Sequence, residues 1–414
     1  MLPVSYDCTS AFLIRFEICR SGSCLLLKGI HIFFQWMTAD INTKHIFFKC
    51  KFLRIVILPN IRILHLIFFF LFFGNCPGSV FLIQQTMLYA VPLMIVALAG
   101  IFAERSGVIN LALEGIMIFG AFIGVLFVRI MQENQVFTQE QGQLLMLLAL
   151  IAASIFGAIF SLLLSFSAIN LKADQTIGGT ALNMLAPALV LFLINLISQQ
   201  NAMRMFTGDA AGWFMIKPST FGLPRDHDFG FIGNLLLNKV YLTTYICLAV
   251  FVILSIILYK TKFGLRLRSC GENPHAADSL GINVYKMRYA GVTISGALAG
   301  MGGFTYALTT ANCASTGEVA GYGFLALAVM IFGNWKPLTV ALGGILFGLF
   351  KCISATYTSL DINGDGVYML AEIGVSPYVY RLLPYLITLI VLAFTSKNSR
   401  VPKAEGIPYD KGQR

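Results

Sequence analysis

The chain has 414 residues, 57% of them hydrophobic and only 12% charged, with a formal net charge of +10. Soluble domains carry roughly 25% charged residues, so this composition argues against an ordinary soluble protein and directs attention to apolar runs of about 20 residues that can cross a bilayer. The basic residues fall between and after the apolar runs, not beside stacking or groove-reading elements; that sets aside nucleic-acid binding and fits the positive-inside bias of membrane proteins.

Residues 1–80 are atypical, mixing basic residues and Phe/Ile runs with Cys8, Cys19, Cys24, Cys50 and Cys76. No two of these cysteines form a CxxC pair, so neither a zinc nor a redox motif is supported. Two readings fit the segment: an extra anchor helix near 53–73, or an upstream start codon, with the working protein beginning near Val80. Cys247, Cys270, Cys313 and Cys352 are scattered through the rest and read as small apolar filler.

From Gln84 the pattern becomes regular. Apolar spans are expected near 84–103, 111–131, 143–167, 177–197, 239–260, 288–309, 322–334, 337–357 and 378–396, the seventh short enough to be broken or tilted. The fold class is therefore an all-α integral membrane protein, a bundle of about 8–10 transmembrane helices. The transmembrane domain covers 81–396 and a basic tail covers 397–414. The segment 260–288 carries Lys260, Lys262, Arg266, Arg268, Lys286 and Arg288 against Glu272 and Asp278, and the tail carries Lys397, Arg400, Lys403, Lys411 and Arg414 against Glu405 and Asp410. Both are expected in the cytoplasm, which an even number of intervening spans allows. Counting backwards then puts the start of the first span outside, so that either the Ile61–Phe73 region also crosses the membrane or one early segment does not cross fully.

Within Phe102–Gly120 (FAERSGVINLALEGIMIFG), Glu104, Arg105, Asn110 and Glu114 interrupt the apolar run. Polar groups at membrane depth usually face a bundle interior or an aqueous path, and Gly107 and Gly115 can break a helix whose freed backbone groups then need partners. One reading is a discontinuous element lining a translocation path, with Asn110 and Glu114 as candidates. The other is a surface loop with Glu104 and Arg105 solvated. Asn183, in TIGGTALNMLAP, is a third path candidate, although an interhelical hydrogen bond suits its amide better. The pairs Gly120/Gly124, Gly296/Gly300 and Gly344/Gly348 permit close helix approach.

The polar stretch Thr261–Arg288 contains a short helix expected over Pro274–Leu280, with Asn273 as N-cap, Pro274 at the first position and Gly281 ending it. Ala276 and Ala277 give it a smooth surface for docking. The sequence GENPHAADSLGINV, with Gly271, Glu272, Asn273, Pro274, Ala276, Ala277 and Gly281, resembles the coupling loop of permease subunits of ATP-binding-cassette importers, in the ribose and branched-chain amino-acid group. ERSGVINLALEGIM resembles the nucleoside or simple-sugar branch. The likeness spans roughly residues 84–396. It implies a non-enzymatic translocation subunit with a cytoplasmic coupling helix, set in the bacterial inner membrane. Its implied partners are a second permease, a cytoplasmic ATPase carrying the ATP, and an external solute-binding protein or lipoprotein. No G-x-x-x-x-G-K-[ST] phosphate loop occurs in the chain, so ATP hydrolysis falls to a partner and no cofactor is expected here.

Three other readings are weighed against this one. Asp361–Glu372 (DINGDGVYMLAE) fits a calcium-loop pattern, with Asp361, Asn363, Asp365 and Glu372 as oxygen donors. A chance Gly/Asn/Asp turn explains the same residues. A secondary transporter or facilitator would need paired halves with matching broken segments, and the 102–120 element has no evident repeat. A membrane enzyme would need a clustered constellation, but His31, His45, His65, His227 and His275 are spread without metal-ligand spacing.

Overall fold

The computed structural model describes residues 77–205, 213–218, 224, 230–358, 376–395 and 400–412. The anchor-helix reading near 53–73, the calcium-pattern loop at 361–372 and His227 lie outside them. The helices are α1 (Pro77–Arg105), α2 (Leu113–Glu133), α3 (Gly142–Ser165), α4 (Gln175–Ser198), α5 (Gly230–Leu237), α6 (Leu242–Lys260), α7 (Lys262–Glu272), α8 (Pro274–Ser279), α9 (Val284–Thr309), α10 (Tyr322–Phe332), α11 (Pro337–Thr356) and α12 (Pro377–Thr395). Each expected span has one of these helices over it. Six are long and apolar enough to cross a membrane.

The amphipathic helix α7 was not foreseen. Its apolar side, Gly264, Leu267, Cys270 and Gly271, is buried at helical spacing, whereas the one helix expected in this polar stretch is Pro274–Leu280. Thr261 caps it, its hydroxyl accepting from the Gly264 amide at 3.3 Å.

Contacts between loops define two ends of the bundle. At one, Arg105 meets Glu272, Lys172 meets Asp410, and the Ala404 amide donates to the Gly271 carbonyl. At the other, the Gln84 amide nitrogen donates to the carbonyls of Asn234 and Asn238, and Gln143 donates to that of Phe214. Two short antiparallel pairings, Met203–Arg204 with Ala314–Ser315 and Met215–Ile216 with Val240–Tyr241, join loops around this second end. The basic loop and the tail therefore share one end, and α1 starts at the opposite one.

Burial runs from the inside outward. α1 and α9 lie at the centre, and Val91 to Ala103 of α1 is almost wholly buried. α3, α4, α6 and α12 turn large apolar side chains outward, among them Ile155, Phe156, Met184, Phe192, Ile256 and Leu389. An outer surface this apolar is stable only against lipid or further protein. Cys247, Cys270, Cys313 and Cys352 are all buried.

The central crossing depends on missing side chains. Gly300 of α9 lies against the backbone of Ala153 and Gly157 on α3 and, on another side, against Gly120 of α2. Lipid provides no hydrophobic drive for helix association, so close backbone contact is the main attraction available there. Any Cβ at Gly300 would overlap backbone that cannot yield. Gly300→Val is expected to cost about 1–3 kcal/mol by overpacking, read as a lower unfolding midpoint of the detergent-solubilised protein; an unchanged midpoint would refute this account of the crossing.

Candidate functional site: the broken helix and the loop that reaches it

The segment Phe102–Gly120 is discontinuous. α1 ends at Arg105, residues 106–112 are irregular, and α2 starts at Leu113. Gly107 makes the reversal with φ +93°, a conformation L side chains rarely adopt. The peptide groups released by the break are met by three amide side chains. The Gln175 oxygen accepts from the Ile109 amide at 2.7 Å. Asn110 is fully buried, accepting from the Ala112 amide at 3.1 Å and donating to the Ser295 hydroxyl at 2.8 Å. Asn183 bridges the gap, donating to the Leu111 carbonyl at 2.6 Å and accepting from the Gly115 amide at 2.8 Å. The path candidates Asn110 and Asn183 thus each hold the break in shape in this state, through both ends of the amide.

Glu114 has a different role. Its carboxylate accepts from the Gly321 and Gly323 amides at 2.9 and 2.6 Å. These are the free N–H groups at the start of α10, where unsatisfied donors and the helix dipole favour an anion. The 11 residues of α10 rise about 16 Å, roughly half the thickness of a bilayer core. Its N-terminus is therefore interior, and Glu114 closes it. Lys351 lies nearby, 5.1 Å from the ring centres of both Tyr322 and Tyr385, and the Tyr306 and Tyr322 rings are 4.8 Å apart. Sequence reading missed Lys351 and these tyrosines, since they are scattered over four helices and carry no local motif.

Glu104 and Arg105 are not solvated. Glu104 is 4% exposed and accepts from the Trp335 indole at 2.5 Å. Arg105 is largely covered and reaches Glu272 at 3.3 Å. The surface-loop reading fails because the chain passes under the loop after α10 and under the tail.

The residues expected to form a coupling loop make one continuous unit. Asn273 caps α8, its side-chain oxygen accepting from the Ala276 amide at 3.1 Å, with Pro274 at the first turn. Gly281 leaves the helix with φ +77°. Pro274 and Ala277, three apart, face inward, Ala277 in a small cluster with Cys270, Val284 and Tyr409. His275, Ala276, Ser279 and Leu280 face outward, with Leu280 82% exposed. This corrects one expectation: only Ala276 of the alanine pair is exposed and Ala277 is buried, since a helix turns the adjacent residue by about 100°. Gly271 packs against the Arg105 carbonyl with no room for a side chain. Among the described residues no group of three or more His, Cys, Asp or Glu is placed to hold a metal ion.

Across this end lies the tail. Glu405 is half-buried beside Glu104 and Arg105, and burial pushes its carboxyl up to about 7 while Arg105 opposes the shift. To the other side Lys172 and Asp410 pair at 2.7 Å, which holds Asp410 below and Lys172 above their usual ranges. Such exposed pairs contribute little to stability.

A bundle of apolar helices with a closed polar break inside and a short helix presented at one end defines a multi-pass membrane permease. The model for the permease component of the branched-chain amino acid transport system matches residues 82–392, and the chain belongs to that family. It is 42% identical over 335 residues to the guanosine ABC transporter permease NupQ of Bacillus subtilis, covering 80% of this chain and 97% of that one. It is 37% identical over 332 residues to the nucleoside ABC transporter permease NupC of Lactococcus lactis subsp. cremoris, with the same coverage. To a putative glucose ABC transporter permease of Haloferax volcanii it is 27% identical over 329 residues, 76% of this chain and 91% of that one. No solved structure matches it.

Two outcomes follow. Asn183→Leu removes partners from the Gly115 amide and Leu111 carbonyl together, at about 1–3 kcal/mol for each group left unsatisfied, so its unfolding midpoint in detergent should fall well below wild type; an unchanged midpoint would show that the break is held otherwise. The raised Glu405 value means that the docked tail holds a proton which a released tail gives up. Docking is therefore firmest below the ordinary carboxylate value of 4.5 and weakens as pH rises through about 7. Hydrogen exchange at the Ala404 and Gly406 amides, corrected for intrinsic rates, should speed up across that window, and less so in Glu405→Gln. An equal slope in the two proteins would assign the effect to another group.

Proposed function

We propose that this chain is the membrane-spanning subunit of an ATP-driven nucleoside importer in a bacterial cytoplasmic membrane. The observation that carries this is a short helix, α8, presented at the basic end with Ala276 and Leu280 free on its outer side and its base joined through Glu272 to Arg105 at the edge of the broken helix. An element of that kind gives a motor a handle on the interior. The basic end faces the cytoplasm by the positive-inside rule, so the tail is cytoplasmic too. With no phosphate loop in the sequence, the motor is a separate ATPase. A second permease subunit completes the membrane part, and an external binding protein or lipoprotein delivers the solute. The chain itself catalyses no reaction and needs no cofactor.

Nucleosides are favoured over sugars because the guanosine and nucleoside permeases are the nearer of the three relatives in identity. The chemistry around the break agrees. Its polar groups are mostly neutral amides, hydroxyls and phenols, and the two charges among them, Glu114 and Lys351, are of opposite sign, which suits an uncharged solute rich in hydrogen-bonding groups better than an ion. Movement between outward- and inward-open states requires contacts that differ between them. The hydrogen bonds of Asn110, Asn183 and Glu114 are the ones such a change would exchange.

Proteoliposomes holding the assembled transporter are expected to take up radiolabelled guanosine only with ATP inside and binding protein outside. Leu280→Asp, which puts a charge on the exposed side of α8, should lower capture of the ATPase by about tenfold or more, as for an interface hot spot. Sustained uptake by this chain alone without ATP would instead indicate a facilitator.

A further inference from the structure

The tail was expected only as a basic extension. In the structure, residues 400–412 cross the basic end as a strap that touches every part of the coupling apparatus in turn. The Arg400 amide donates to the Asn334 side chain at 2.8 Å, in the loop after α10. The Ala404 amide donates to the Gly271 carbonyl at 2.9 Å, at the end of α7, and the Gly406 amide to the Gly107 carbonyl at 3.3 Å, inside the break. The Ile407 carbonyl accepts from the Arg288 guanidinium at 3.0 Å. Arg288 is 1% exposed at the base of α9 and lies directly against Gly107. Tyr409, 4% exposed, packs into the small cluster of Cys270, Ala277 and Val284, with its ring 5.2 Å from that of His275 and 5.4 Å from that of Tyr285.

This arrangement has a mechanical consequence. The inner side of α8 rests on Tyr409, and two and three residues earlier the same strand of chain is hydrogen-bonded to Arg288 and to the break. The other route from α8 to the break runs through Glu272 and Arg105, a pair whose carboxylate is about half exposed and which is accordingly weak. A buried aromatic ring followed by main-chain hydrogen bonds is the stiffer of the two.

We propose that the strap is a transmission element for transport, with Tyr409 as its positioning residue: movement of α8 is passed through Tyr409 to Ile407 and Gly406, and from these to Gly107 at the break. This rests on the reading of the chain as an ATP-driven permease. The strap does not recognise the ATPase, whose surface is the opposite side of α8, and it touches no solute.

The test uses the full transporter in proteoliposomes, comparing wild type with Tyr409→Ala, Tyr409→Phe and His275→Ala. Three quantities are read: ATPase retained by the membrane subunit, ATP hydrolysed, and guanosine imported per ATP. Tyr409→Ala should retain the ATPase and hydrolyse ATP while importing about two- to thirtyfold less per ATP, the range for residues along a coupling route. Tyr409→Phe, which keeps the ring, should restore import per ATP. His275→Ala, a surface change that removes one ring contact to Tyr409, should lower it in the same direction by less. Import per ATP that is unchanged in Tyr409→Ala overturns the proposal. So does a loss that merely tracks lost ATPase or lost protein, since that would make the tail a structural or docking element. A wild-type complex that holds no ATPase would count against the importer reading itself, and is seen before any variant is compared.

Discussion

The structure depends on satisfying an irregular stretch of backbone where water is scarce. A regular helix meets its own peptide groups, but residues 106–112 do not form one, and unpaired peptide groups at membrane depth are costly. Gln175, Asn110 and Asn183 supply the missing partners from α4 and from the break itself. These bonds join α4 to the break and to the start of α2. One residue into α2, Glu114 meets the free amides of α10. Two interrupted elements, the α1–α2 break and the half-length α10, are thereby locked to one another by one carboxylate.

A closed arrangement of this kind is suited to switching. Amide-to-backbone hydrogen bonds are specific in direction but modest in net strength, so a set of them can be exchanged for another set at small net cost. The glycine-lined crossing of α9 with α2 and α3 is the fixed part against which such exchange can occur, since close-packed backbones move as a body. The described structure therefore combines a close-packed, glycine-lined centre with a polar break at its edge, against which α7 and the strap lie at the basic end.

The basic end shows how one stretch of sequence serves two demands. Its lysines and arginines set orientation by remaining in water, while the residues between them build a small apolar cluster from Cys270, Ala277, Val284 and Tyr409. Arg288 departs from this pattern: it is buried, and its guanidinium is used on the Ile407 carbonyl. Counting charge along the loop treats Arg288 as one more orienting residue, whereas its burial makes it part of the packing around Gly107.

The sequence by itself determined the helical membrane class, the place of every long helix and the short capped helix at 274–279, because each rests on local information: apolar run length, Asn273 before Pro274, and a glycine where φ turns positive. It also marked the break, since Glu104, Asn110 and Glu114 are costly in lipid whatever surrounds them. Only the tertiary structure decided what those residues do. That Asn183 staples residues 111 and 115, that Glu114 closes a half-helix about 200 residues away in the chain, that Ala277 faces inward, and that the tail is a strap all depend on partners distant in sequence. Such pairings are set by packing of the whole bundle, and no local pattern of residues records them.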